Sequence, residues 1–126
     1  MYNVAIIGCG RISHKIAEGV AKNHDRMRLV ALCDPIEEKM FETEKTYNKK
    51  IENELSLLKY KDYKEILDQN KIDIAIISTE SGYHEDIGLY FLENGVNLII
   101  EKPLAMSIEG AQKLVDTAKK NNLKLA

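Results

Sequence analysis

The sequence predicts an α/β fold: one domain built on a doubly wound parallel sheet of about six strands. Three observations predict it. Short apolar runs alternate with segments of helical periodicity along all 126 residues. The fourth run, Ile72-Asp73-Ile74-Ala75-Ile76-Ile77, is almost continuously apolar, as a parallel strand covered on both faces needs to be. The first run stops at Gly8-Cys9-Gly10-Arg11-Ile12-Ser13, a glycine turn that opens a helix, and the second stops at an acid, Asp34.

Taken in order, Tyr2 to Ile7 has the length and composition of a buried strand. The helix after the glycine turn carries Ile12, Ile16 and Val20 at four-residue spacing with Ala17 beside them. Met27 to Cys33 is the second strand. Pro35 to about Lys50 reads as a polar surface helix with Ile36, Met40 and Phe41 inward. Asp34-Pro35-Ile36-Glu37 fits a capping box, with Asp34 as N-cap and Pro35 at the first helical position. A short strand is expected at Leu57 to Tyr60. Asp62 then caps a brief helix, Tyr63 to Gln69, whose Tyr63, Ile66 and Leu67 turn inward. The fourth strand ends at Ser78-Thr79, and a helix from Tyr83 to Glu93 follows with Ile87, Tyr90 and Phe91 on one face. Asn94-Gly95 stops it. Val96 to Ile100 is the fifth strand. Ser107 caps the last helix, with Ile108, Ala111, Leu114, Val115 and Ala118 on one side, and Leu123 to Ala126 begins a sixth strand.

Composition narrows the class. With 44% hydrophobic and 30% charged residues, the chain has enough apolar material for a packed core. Eighteen basic and twenty acidic residues are interspersed, a net charge of −2 that leaves no basic footprint for nucleic acid. Cys9 and Cys33 form neither zinc-ligand spacing nor a disulfide framework, so reduced thiols in a cytoplasmic protein are expected. No signal peptide is visible, and every apolar run falls short of a membrane span.

Strand, glycine turn, helix, strand and acid within residues 1 to 34 have the length of a dinucleotide-binding fingerprint, which makes the sheet Rossmann-type. Gly8 lets the chain turn at positive φ. Gly10 leaves room for a pyrophosphate, and the N–H groups from Arg11 onward face it with the positive end of the helix dipole behind them. Asp34 is placed to accept hydrogen bonds from a ribose. A carboxylate there repels a 2′-phosphate, and no Arg or Lys follows directly, so NAD is expected over NADP. Ligands of an open parallel sheet gather at the carboxyl ends of its strands. That rule adds Ser78-Thr79-Glu80-Ser81 with His84, and Glu101-Lys102-Pro103, to the residues of interest. An ammonium buried at such a mouth has its pKa lowered, which suits Lys102 to proton relay.

These residues together resemble the cofactor domain of the glucose–fructose oxidoreductase/inositol dehydrogenase family. The likeness spans the whole chain, and Glu101-Lys102-Pro103 with Ser107 opening the next helix is its most specific part. The wording of Gly8 to Ser13 and of Ser78 to His84 is most similar to members acting on nucleotide sugars, such as UDP-N-acetylglucosaminuronate 3-dehydrogenases. The resemblance implies an NAD(P)-dependent dehydrogenase of sugars, nucleotide sugars or cyclitols. It implies that Gly8, Gly10, Arg11 and Ile12 surround the pyrophosphate and that Asp34 holds the adenosine ribose. Ser78, Thr79 and His84 then lie near the cofactor, Glu101 faces the nicotinamide ribose, and Lys102 is catalytic between cofactor and substrate. It also implies a cis Lys102–Pro103 bond. Glu80 and Ser81 depart from the family's proline and asparagine.

The same resemblance implies a second, substrate-binding domain, so residues 1–126 are expected to be a truncated cofactor domain. Its apolar edge at the partial sixth strand offers a route to a homo-oligomer. Two functions stay open at this point: the NAD module of a dehydrogenase, or a stand-alone NAD-binding or sensing module without chemistry.

Overall fold

A parallel sheet with apolar side chains on both faces of its pleat needs helices above and below it. The computed structural model, which describes residues 1–126, has that arrangement. In chain order the elements are β1 (Tyr2–Ile7), α1 (Ser13–Lys22), β2 (Met27–Cys33), α2 (Glu37–Ile51) and β3 (Leu58–Tyr60). A 3₁₀ turn, Tyr63–Glu65, leads into α3 (Ile66–Gln69), followed by β4 (Ile74–Ile77). A second 3₁₀ turn, Ser81–Tyr83, leads into α4 (His84–Glu93), then β5 (Asn97–Ile100) and α5 (Ile108–Lys120). The five strands are all parallel, in the order β3-β2-β1-β4-β5. The expected sixth strand is present only as a start: Leu125 bridges Leu98, with Ile100 N–H donating to Ala126 O at 2.8 Å.

The pleat divides the core in two. Val4, Ile6 and Ile76 face α1 and α2, while Ala5, Ile7, Ala75 and Ile77 face α3, α4 and α5. The pairing of β1 with β2 slips by one residue between Val4 and Ala5, and Leu29 and Leu32 therefore share a face despite being three apart. The Leu29 N–H finds its acceptor in the Tyr47 hydroxyl of α2 at 3.2 Å. No helix covers β5 on the α1–α2 side, and Ile99 there stays 42% exposed.

Three helix faces differ from the periodic reading. Ile12 precedes the first residue of α1 and is exposed; the buried stripe is Ser13, Ala17, Val20 and Ala21, small residues that let the helix approach the sheet closely. On α2, Ile36 lies ahead of the helix and Phe41 points to solvent beneath the Lys59 ammonium, 4.4 Å from the ring centroid. The buried stripe is Met40, Thr43 and Tyr47. On α5, Ile108 is the first helical residue and is 90% exposed, so the packed face begins at Gly110. Ser107 caps this helix as expected, its Oγ accepting from Gly110 N–H at 3.0 Å. Asp62 likewise accepts from Lys64 N–H.

Gly8 has φ +93°, and a Cβ built there would lie 2.6 Å from Thr79 N and 2.7 Å from the Ser78 carbonyl carbon. A Cβ on Gly10 would meet nothing within 4 Å. Gly8→Ala is therefore expected to cost about 2–5 kcal/mol, positive-φ strain plus displaced backbone. Gly10→Ala should cost under about 1 kcal/mol, since nothing there is overpacked. Urea unfolding midpoints of the two variants check the contrast; equal losses would contradict it.

Candidate cofactor-binding site

The chain runs outward from β1 to β3 on one side and from β4 to β5 on the other, so the sheet's switch point lies between β1 and β4. Hydrogen bonds beyond the strand ends draw the loops together there. Gly8 N–H donates to Cys33 O at 2.8 Å, Ser78 N–H to Ile7 O at 2.8 Å, and Ser78 Oγ to Gly8 O at 2.8 Å. The glycine turn is thus tied to β2 on one side and pressed against β4's exit on the other.

Past Gly8 the backbone opens. The N–H groups of Gly10, Arg11 and Ile12 donate to no protein acceptor, while Ser13 N–H bonds back to Gly10 O at 3.1 Å. Three free donors at the start of a ten-residue helix, beside the open space at Gly10, make a cradle for an anion. Arg11 and Ile12 are both exposed. Ser13, the third small position, is fully buried, with its hydroxyl 2.5 Å from Gly10 O and 2.9 Å from Thr43 Oγ1.

Asp34 is not the N-cap of α2. The helix begins at Glu37, and the residue before it, Ile36, is extended with no side-chain cap. Asp34 instead accepts from Cys9 N–H through Oδ2 at 2.9 Å and from Ile36 N–H through Oδ1 at 2.8 Å. Each oxygen keeps a further lone pair for a ribose hydroxyl. The carboxylate therefore locks β2's exit to the glycine turn.

A cavity of about 520 Å³ opens over this junction. Gly8, Gly10, Asp34, Ser78 and Thr79 line it, all of them singled out by the sequence. Glu80, named with them at the exit of β4, lines it too, as do Lys39, Lys61, Tyr63 and Tyr83, which were missed. Lys61 and Tyr63 follow the carboxyl end of β3, so the strand-end rule, applied to that strand too, finds them. Burial raises the pKa of the Tyr63 phenol, with the Asp86 and Asp62 charges adding to it. A separate groove of about 970 Å³ along α2 and the 52–56 loop shares no residue with this cavity.

Arg11, Ile12, His84, Glu101 and Lys102 do not line the cavity. His84 is buried behind its wall, at 1% exposure, with Nε2 2.9 Å from Thr79 O and Nδ1 2.8 Å from Pro103 O. It joins the loops after β4 and β5. Glu101 N–H continues the sheet by donating to Ile77 O at 2.9 Å, and the Lys102–Pro103 bond is cis, as the family likeness implied. Lys102 is exposed rather than buried, because its turn projects past β5 into solvent; the desolvation expected of it is not present in this chain.

Fold and site together define a dinucleotide-binding Rossmann domain. Residues 2–126 match the family described as "Oxidoreductase family, NAD-binding Rossmann fold", and the chain belongs to it. It is 32% identical over 100 residues to a glycosyl hydrolase family 109 protein of Bacteroides thetaiotaomicron, covering 74% of this chain and 20% of that one. Scyllo-inositol 2-dehydrogenase (NAD(+)) of Bacillus subtilis is 28% identical over 120 residues, 94% of this chain and 33% of that one. The WlbA dehydrogenase of Bordetella pertussis, solved with NADH and UDP-GlcNAcA, superposes with a TM-score of 0.85 at 24% identity. That superposition covers 98% of this chain and 36% of WlbA. The chain thus spans a third or so, or less, of these relatives.

Both cysteines are free and buried. Burial pushes the Cys9 thiol up from the usual value near 9 to about 12, opposed by a hydrogen bond with Thr43 and reinforced by Asp34. Burial does the same to Cys33, with Cys9 adding to it, again to about 12. At pH 8 both should react with a disulfide reagent at least about a hundredfold more slowly than a free thiol, and urea should release them. The folded state keeps these protons between about 9 and about 12 while the unfolded state loses them. Stability should therefore fall as pH rises through that window. Fast labelling of the folded chain, or a flat alkaline stability profile, would contradict the burial.

Proposed function

We propose that this chain is the cofactor module of a dehydrogenase that moves hydride between NAD and a hydroxyl of a sugar, nucleotide sugar or cyclitol. The observation that carries the reading is the cradle of three unpaired N–H groups, Gly10 to Ile12, standing beside Asp34 at the sheet's switch point. When bound, NAD supplies the hydride acceptor. The chain's own residues do the rest. Gly8 shapes the turn, and the backbone of Gly10, Arg11 and Ile12 binds the pyrophosphate. Asp34 takes the adenosine ribose hydroxyls. Ser78 and Thr79 lie on the nicotinamide side, with His84 supporting Thr79 from behind. Glu101 faces the nicotinamide ribose, and Lys102 carries the proton of the reacting hydroxyl.

The substrate wall lies, in this proposal, outside residues 1–126. Lys102 then gains its desolvation when that wall closes over it. The relatives' names support a sugar or cyclitol substrate, and the wording of Ser78 to His84 favours a nucleotide sugar. The family 109 relative supports a second reading, glycoside cleavage by the whole protein, which release of p-nitrophenol from nitrophenyl glycosides would reveal. Reduced thiols fit the cytoplasm. No helix is long and apolar enough to cross a membrane. The short segment at Leu125 that bridges β5 offers the edge for a homo-oligomer.

Calorimetry on the chain should show NAD binding at least about tenfold tighter than NADP. Asp34→Ala should weaken NAD by a similar factor and narrow the gap, and Gly10→Ala should weaken both cofactors while leaving the fold intact. Equal or better affinity for NADP would remove Asp34 from its role. Mixed with NAD and a panel of UDP-sugars and cyclitols, the 126 residues alone should generate no NADH absorbance. Turnover abolished by Lys102→Ala would show that no further wall is needed.

A further inference from the structure

Four polar or charged side chains are buried in this chain: Ser13, Asp34, Thr43 and His84. Asp34 and His84 each hold a loop of the cavity. Ser13 and Thr43 have no assigned purpose, although neither has any exposed surface. A buried hydroxyl is unfavourable unless hydrogen-bonded, so their partners show what they support.

Ser13 Oγ lies 2.5 Å from Gly10 O, and a carbonyl can only accept, so the Ser13 proton is directed to Gly10. Thr43 Oγ1, reaching across from α2, lies 2.9 Å from Ser13 Oγ and 3.0 Å from Lys39 O. With the Ser13 proton committed, the 2.9 Å contact between the two oxygens needs the Thr43 proton, for which Lys39 O at 3.0 Å competes; Lys39 O is already the i−4 acceptor for the Thr43 N–H within α2, whereas Ser13 Oγ has no other donor. A single α2 hydroxyl thus reaches the turn, through Ser13, at Gly10. These residues flank the free N–H groups of the cradle. A neighbouring pair, His14 Nδ1 and Thr46 Oγ1 at 2.6 Å, holds the same two helices together one turn further along α2.

The geometry points to Thr43 as a positioning residue for the phosphate cradle. Its hydroxyl, relayed by Ser13, fixes the Gly10 carbonyl and so the direction in which the Gly10, Arg11 and Ile12 N–H groups point. This rests on the reading that the cradle binds the NAD pyrophosphate. The relay couples α2, a helix that touches no phosphate, to the affinity of the site.

Thr43→Val keeps the shape and removes the donor. In the 126-residue chain it should weaken NAD about three- to tenfold by calorimetry. It should also shift the amide nitrogen-15 resonances of Gly10, Arg11 and Ile12 without ligand. Thr43→Ser should restore both. Ser13→Ala should cost a similar factor, and the Ser13→Ala/Thr43→Val double variant little more than either alone, because they interrupt one relay. Full NAD affinity in Thr43→Val would overturn the inference. So would Thr43→Ser failing as badly as Thr43→Val, since packing of the methyl would then be the cause. If the unaltered chain binds no NAD, the cofactor reading itself fails; the ligand-free resonances then decide the relay, and unmoved ones overturn it.

Discussion

The close approach of Gly8 to the backbone of Ser78 and Thr79 is the constraint on which the rest of the structure depends. With a virtual Cβ only 2.6 Å from Thr79 N, no residue bearing a side chain fits without moving β4 away from β1. That contact lets Ser78 Oγ reach Gly8 O and lets Gly8 N–H continue the ladder to Cys33. It fixes the height at which the chain leaves the sheet and hence where α1 begins. The open cradle at Gly10 follows from the closed one at Gly8. Two glycines two residues apart serve opposite needs: one is pressed against the backbone of Ser78 and Thr79, the other faces empty space.

Buried polarity is spent entirely on holding loops. A small core can hide a hydroxyl, a carboxylate or an imidazole only where each meets partners, and all four such groups here meet backbone at a strand exit or at the start of a helix. Asp34 ties β2 to the turn, Ser13 and Thr43 brace it from α1 and α2, and His84 joins the exits of β4 and β5. The apolar core determines where the strands lie. The polar groups determine how their ends are aimed, which is the level at which a cofactor is recognised.

Much of this was legible in the sequence. Strand runs such as Ile74 to Ile77 are unmistakable because both faces are covered, and the glycine spacing reads directly because only glycine serves at Gly8. The helix faces were harder. Hydropathy selects large apolar residues, whereas α1 approaches the sheet through Ser13, Ala17 and Ala21, which are buried for being small. On α2, Thr43 and Tyr47 are buried because they bond Ser13 and the Leu29 N–H at the β2 slip. A hydrogen bond between residues 18 or 30 positions apart leaves no periodic trace in one chain. Asp34 misled for a related reason: Asp-Pro-x-Glu is a good helix start locally, but the Cys9 N–H, twenty-five residues earlier, competes for the same carboxylate. Lys61 and Tyr63 follow a strand whose end the sequence places correctly at Tyr60; they were overlooked because the strand-end rule was applied only to the other strands.

Binding and reaction are supported differently in this chain. The cradle and Asp34 are braced by hydrogen bonds within residues 8 to 43 and by the Ser78 contact, so they are already in place without help. Lys102 has no such bracing. Its backbone is held, through Glu101 N–H and the His84 contact with Pro103, but its side chain stands in solvent. An exposed ammonium is strongly hydrated and poorly oriented, and a proton relay needs the reverse on both counts. The backbone therefore holds Lys102 at the exit of β5, and the role proposed for it would need a surface that excludes water there. Ile99, on the bare face of the adjacent strand, shows that this side of the sheet has apolar area to offer such a surface. On the proposed function, cofactor affinity rests on the sheet's switch point, while Lys102 stands apart from that cavity at the exposed exit of β5.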